Sequence, residues 1–140
     1  MDTDRYEFSP DPARIDGDWV HATLRDHAYW AEGRSRADQD AANAASRCFG
    51  VYRRADGGQV AFARVITDGV TFGWVADVVV APEVRGQGIG KALVAAIAAQ
   101  LDALGVRRSL LITRDAHALY SRNGWVPVEP PENWMLRPRG

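Results

Sequence analysis

Between Arg85 and Lys91 the chain carries three alternating glycines, Gly86, Gly88 and Gly90. They follow the apolar run Val78-Val79-Val80-Ala81 and precede a segment with helical apolar spacing. Glycines in such a loop let the backbone approach a bulky anion closely and adopt positive φ. The free N–H groups of the helix's first turn, with the helix dipole behind them, then point at that anion. Arg85 and Lys91 add positive charge on either side, and Gln87 and Ile89 complete the loop. The chemistry this predicts is capture of a phosphate or pyrophosphate. A tight turn alone would not require three glycines in five residues.

Two familiar phosphate loops fit poorly. Three residues separate Gly86 from Gly90, where a P-loop has four, and Ala92 follows Lys91 where a magnesium-binding hydroxyl belongs. The dinucleotide fingerprint ends on glycine or alanine, but the two available frames place Lys91 or Leu93 there.

The elements that must position this loop follow from pattern and punctuation. Arg5–Ser9 reads as a short strand stopped by Pro10 and Pro12. Asp16 or Asp18 caps a helix bearing Trp19, Val20 and Leu24, and Ser35 caps a second helix to about Ser46. Cys48–Arg54 and Gln59–Thr67 form a hairpin around a Gly-containing turn. Thr71–Val80 is the strongest strand, mostly apolar from Val75 to Val80 as a strand covered on both faces should be. Gly88–Leu104 is an amphipathic helix closed by Gly105. Val106–Thr113 is a buried strand, and a shorter helix starts at Thr113 or Asp115 and runs through Asn123. Trp125–Val128 and Trp134–Arg137 are read as final strands around Pro130-Pro131. The series is β-α-α-β-β-β-α-β-α-β-β, one mixed α/β domain over residues 1–140.

Composition narrows the function. The chain has 140 residues, 46% apolar and 25% charged, the ordinary mix of a single globular domain. A formal charge of −1 gives no pull toward nucleic acid or anionic lipid. No stretch has the length to span a membrane, and MDTDRYEFSPDP has no signal-peptide core. The lone Cys48 forms no intrachain disulfide, and three scattered histidines give no zinc spacing, so no metal is expected. A cytoplasmic protein is expected, and a homodimer is compatible with this composition.

A second motif stands downstream: Ala116-His117-Ala118-Leu119-Tyr120-Ser121-Arg122-Asn123-Gly124-Trp125. With Arg85-Gly86-Gln87-Gly88-Ile89-Gly90, it resembles the paired motifs of the GNAT superfamily of N-acetyltransferases, Arg/Gln-x-x-Gly-x-Gly/Ala and Ala-x-x-Leu-Tyr-x-x-x-Gly-Phe, with Trp for Phe. The resemblance covers roughly Trp74–Val128. It implies a central, mostly antiparallel sheet flanked by helices, in which the fourth strand, Trp74–Ala81, splays from the fifth near Ser109–Thr113. It implies acetyl-CoA as acyl donor, its pyrophosphate on Arg85–Lys91 and its pantetheine arm on the main chain of Val78, Val79 and Val80. Thr113 stands where many relatives have an Asn that contacts the cofactor.

The resemblance makes Tyr120 a general acid for the departing CoA thiolate; as a residue alone, it reads rather as a core aromatic on the buried face of its helix. An attacking amine must lose its proton, and Asp77 is the suggestive carboxylate, because a charge within an apolar strand must be paired or used. It is read either as that base or as the cross-strand partner of Arg64. His117, three residues before Tyr120, reads as solvated surface. Tyr29, Trp30, Trp74 and Trp134 could line an acceptor pocket; with Asp68 or Asp77 beside them, a cationic amine would suit it. The expected acceptor is a primary amine of a small molecule, attacking directly in a ternary complex. A protein or peptide amine, a non-catalytic acyl-CoA sensor and another kind of nucleotide-binding protein are the alternatives.

Overall fold

A computed structural model describes residues 1–139. Five strands, β1 (Tyr6–Ser9), β2 (Arg47–Arg53), β3 (Gln59–Thr67), β4 (Gly73–Val80) and β5 (Ser109–Leu110), form one sheet in the order β1-β2-β3-β4-β5. Neighbours are antiparallel except β4 and β5, which are parallel. The helices are α1 (Gly17–His27), α2 (Arg36–Ala44), α3 (Ile89–Leu104) and α4 (His117–Ser121). No helix is long and apolar enough to cross a membrane among the described residues.

The two-residue period of β3 builds both halves of the core. Ala61, Ala63 and Val65 face the α3 side, where Leu93, Ile97 and Leu101 meet Phe49, Val51 and Val75. Phe62 turns the other way, to pack with Cys48 and Val79 against Val20 and Leu24 of α1. Asp16 caps α1 by accepting from the Trp19 N–H at 3.1 Å, and Ser35 caps α2 through the Asp38 N–H at 3.0 Å. At the far end of α3, Gly105 takes φ 78°, and Val106 N–H donates to the Leu101 carbonyl at 3.1 Å. This is the glycine-closed helix end that the sequence predicted.

One irregularity shapes the site. Phe62 pairs with Val79 but Arg64 pairs with Ala76, so Ala63 lies opposite both Asp77 and Val78. This β-bulge sets Asp77 at φ 53°, a left-handed conformation that aspartate tolerates better than most residues. A bulged strand bends, and β4 keeps β5 as its neighbour only at Gly73↔Ser109 and Trp74↔Leu110. The predicted strand Val106–Thr113 is therefore reduced to two residues, since beyond Leu110 it has no ladder partner. The splay expected between the fourth and fifth strands is present.

The two terminal strands are not formed. Residues 125–139 contain no strand, only the 3-10 turn Pro131–Asn133. Pro127, Pro130, Pro131 and Pro138 each lack the N–H that a ladder needs, and Val126, Met135 and Leu136 remain exposed.

Candidate active site

The glycine loop is a helix entrance with its donors left open. Gly88 is the residue before α3, at φ 77°, and no side chain caps the helix there. The first intrahelical bond at this end is Ala92 N–H to the Gly88 carbonyl, at 3.1 Å. The amides of Ile89, Gly90 and Lys91 thus have no carbonyl within the helix to bond. Gly86 is also left-handed, at φ 81°, and a Cβ there would meet nothing within 4 Å, so it is the backbone conformation and not space that calls for glycine. Arg85 and Lys91 flank the loop, both exposed. Gln87 is turned to another purpose: its Oε1 accepts from the Tyr6 hydroxyl at 2.9 Å, tying the loop to β1.

From this entrance a cleft of about 540 Å³ runs between the splayed strands. One wall is β4 from Trp74 to Val80, and the other is Leu111–Ala116 with Leu119 and Tyr120 of α4. Beyond Trp74, the edge of β4 that faces β5 has no strand partner, which leaves main-chain groups around Val78, Val79 and Val80 along the cleft. Gly90 borders the same space, and a Cβ on it would sit 3.7 Å from Val80 Cγ2.

Tyr120 is buried and lines the cleft, with its ring edge-on to Trp125 at 6.0 Å between centroids. Its hydroxyl bonds no protein group among the described residues, and burial raises the phenol above its ordinary pKa. It therefore keeps its proton through the neutral range. Thr113 also lines the cleft, but its Oγ1 accepts from the Ala116 N–H at 3.0 Å and caps the turn that leads into α4. That turn explains why α4 begins at His117 rather than at Thr113 or Asp115. His117 is exposed at its start.

Asp77 forms the buried floor. Its side chain is 1% exposed and Oδ2 accepts from Arg64 Nε and Arg34 Nη1, each at 2.7 Å. Gln39 donates to the same oxygen at 3.3 Å, and the Trp30 indole donates to Oδ1 at 2.9 Å. Burial alone would push this carboxyl up; the Arg64 hydrogen bond and charge, then Trp30 and Arg34, outweigh it and hold the pKa below the ordinary value. The cross-strand pair with Arg64 is present, and a carboxylate with this many donors is a weak base. Tyr29, Trp30 and Trp74 line the cleft, whereas Trp134 lies in a separate hollow beside Arg108. Asp68 lies outside it, bonded to the amides of Val70 and Thr71 in its own turn.

Sequence reasoning missed Arg34 and Gln39. Nothing local marks them, but the demand was readable: a buried aspartate has room for more donors than one arginine supplies. No group of three or more histidine, cysteine, aspartate or glutamate side chains is placed to hold a metal among the described residues.

Comparison with known proteins agrees with this geometry. The family profile described as "Acetyltransferase (GNAT) domain" matches residues 44–127, more than half of the chain. A Gibberella zeae protein named "Putative acetyltransferase FG08082" is 34% identical over 137 residues, covering 84% of this chain and 77% of its own. A crystal structure from Xanthomonas campestris pv. campestris, of a GNAT-family chain, superposes with a TM-score of 0.88 at 42% identity, over 96% of this chain and 93% of its own. A Staphylococcus aureus structure shares the fold, with a TM-score of 0.75 at 22% identity over 96% and 99% of the two chains. A strand-splayed sheet, an uncapped glycine entrance to its main helix and these relatives together place the chain in the GNAT family of acetyltransferases, which makes it an acyltransferase.

Proposed function

We propose that the protein moves an acetyl group from acetyl-CoA to a primary amine of a small molecule, by direct attack within a ternary complex. The observation that carries this reading is one cleft lined both by Gly90, in the uncapped first turn of α3, and by Tyr120. The pyrophosphate suits the first turn of α3, with Arg85 and Lys91 beside it. The pantetheine arm suits the unpaired edge of β4, adding to it as a peptide adds to an open sheet. An N–H at the bulge beside Val78 is suited to polarise the thioester carbonyl and stabilise the oxyanion. The amine nitrogen forms its bond to that carbonyl carbon, the carbon–sulfur bond breaks, and Tyr120 gives the thiolate its proton.

Asp77 in this reading is a positioning residue. Its bonds to Arg34, Arg64 and Trp30 fix the acceptor side of the cleft, and the proton lost by the amine leaves to solvent. The test is a thiol-release assay with acetyl-CoA and pooled primary amines, beside a thermal-shift measurement with acetyl-CoA alone. Stabilisation by acetyl-CoA together with amine-dependent thiol release is expected. Stabilisation without release from any amine would remove the catalytic reading and leave a binding module.

A further inference from the structure

We infer that the acceptor carries a carboxylate beside its amine, held by the edge of Arg34 that bonds no protein group. The charge balance at the floor of the cleft is the first ground. Arg34 and Arg64 share the single carboxylate of Asp77, and both bond the same oxygen. Trp30, Gln39 and Ser46, the other bonding partners of this cluster, are neutral. One positive charge is therefore left without a partner, in a place where side-chain exposure is only 24% for Arg34 and 11% for Arg64. A cation half-removed from water favours an anionic guest.

The second ground is geometric. Arg34 spends only Nη1 on the protein, to Gln39 Oε1 at 2.8 Å and Asp77 Oδ2 at 2.7 Å. Its Nε and Nη2, which form one side of the planar guanidinium, bond no protein group among the described residues. Two parallel N–H donors at that spacing match the two oxygens of a carboxylate. The bonds at Nη1 already immobilise the side chain, so little rotamer freedom remains to be lost on binding. Arg64 presents a further free nitrogen, Nη2, because its Nε goes to Asp77 and its Nη1 to the Ser46 hydroxyl at 3.1 Å.

The same contacts argue against the cationic box expected from the aromatic residues. Tyr29 already has a cation on its ring, Arg114 at 3.6 Å from the centroid. The Trp30 indole N–H is engaged, and neither Asp77 nor Asp68 has a carboxylate to spare. Three arginines line the cleft against two aspartates, and Asp115, exposed on the opposite wall, is the aspartate that remains unbonded there. An amine near that wall and a carboxylate on Arg34 satisfy both ends of one small zwitterion.

The amine half of this inference rests on the acetyltransfer reading; the carboxylate half rests on Arg34. The experiment separates them. Binding of the standard L-amino acids, their carboxamides and simple alkylamines to the CoA-loaded protein is measured by calorimetry, with thiol release from acetyl-CoA followed in parallel. A carboxylate bound through a charge-assisted pair should favour at least one amino acid over its own carboxamide by roughly tenfold to a hundredfold. Arg34→Gln should erase that preference, and Arg34→Lys, which keeps the charge beside Asp77 without the planar edge, should retain part of it. An undiminished acetyl-CoA thermal shift in each variant reports an intact fold. Equal affinity for acid and amide, a preference that survives Arg34→Gln, or no binding by any panel member at millimolar concentration overturns the inference. Carboxylate-selective binding without thiol release would instead overturn acetyl transfer and leave the anion site standing.

Discussion

Replacing Tyr120 with phenylalanine removes one oxygen from a side chain whose packing is otherwise retained. The hydroxyl bonds no protein group among the described residues, so its loss leaves no buried donor or acceptor unpaired. The edge-on contact with Trp125 belongs to the ring and survives. The stability of Tyr120→Phe should accordingly stay within about 1 kcal/mol of the parent, and acetyl-CoA affinity should hardly move. The chemical step is different, because the departing thiolate loses its proton donor; the rate should fall by about 10² to 10⁴. Single-turnover thiol release with an identified amine measures that step, while calorimetry measures the cofactor separately. The pH profile adds a second sign. Burial raises the phenol above its ordinary value of about 10, so the parent rate should hold through neutrality and decline only in the strongly alkaline range. That alkaline decline should be absent from the residual rate of the variant. If Tyr120→Phe retains more than about a third of the parent rate with chemistry rate-limiting, the general-acid role is refuted and solvent must protonate the thiolate.

Gly88→Val places a β-branched residue at φ 77° on the helix entrance; it should cost about 1–3 kcal/mol in strain and abolish acetyl-CoA stabilisation. The parent should gain about 2.7 kcal/mol at a hundredfold excess over Kd, and an equal gain by folded Gly88→Val would sink the cradle assignment. Asp77→Asn leaves two arginines without their carboxylate and should destabilise by about 3–5 kcal/mol, read from urea midpoints. Because the folded pKa of Asp77 lies below its ordinary 3.8, its contribution is complete above that value and is lost as pH falls through the lowered one; an acid-unfolding midpoint unchanged in Asp77→Asn would contradict the ion pair. Thr113→Val removes the acceptor for the Ala116 amide and should cost about 1 kcal/mol in stability, with no more than about a fivefold loss of CoA affinity. Cys48, buried with its thiol pushed up to about 11 chiefly by desolvation, should resist thiol reagents in the native protein at neutral pH; rapid labelling there would show that the α1 side of the sheet opens.

The parts legible in the sequence are those whose cause is local. Strand, glycine loop and helix entrance lie within one stretch from Val75 to Lys91, so this strand-to-helix entrance could be read from residue types and spacing alone. The pair of Asp77 and Arg64 was accessible too, because the two residues lie on adjacent antiparallel strands, although the ladder sets Arg64 opposite Ala76 and the bulge carries Asp77 to it. Arg34 was not, because it reaches Asp77 from the α1–α2 connection, and no periodicity links the two. The missing terminal strands show the same limit in reverse. Trp125–Val128 has β-forming residues, but a strand exists only if a neighbour accepts its ladder, and the intervening prolines deny it one. The shortness of β5 depends on the bend that the Asp77 bulge gives to β4, a backbone event that side-chain patterns do not record.

The site also divides along the chain by task. The α3 entrance, the bulge and Tyr120 all fall between Gly73 and Tyr120, while Tyr29, Trp30 and Arg34 come from the short connection between α1 and α2. Asp77 belongs to both, with its backbone in the bulge and its carboxylate holding the connection in place. In the proposed reading, mutation in that connection should exchange one acceptor for another and leave the acyl-donor half in place. Substitution at Asp77 itself disturbs both halves at once.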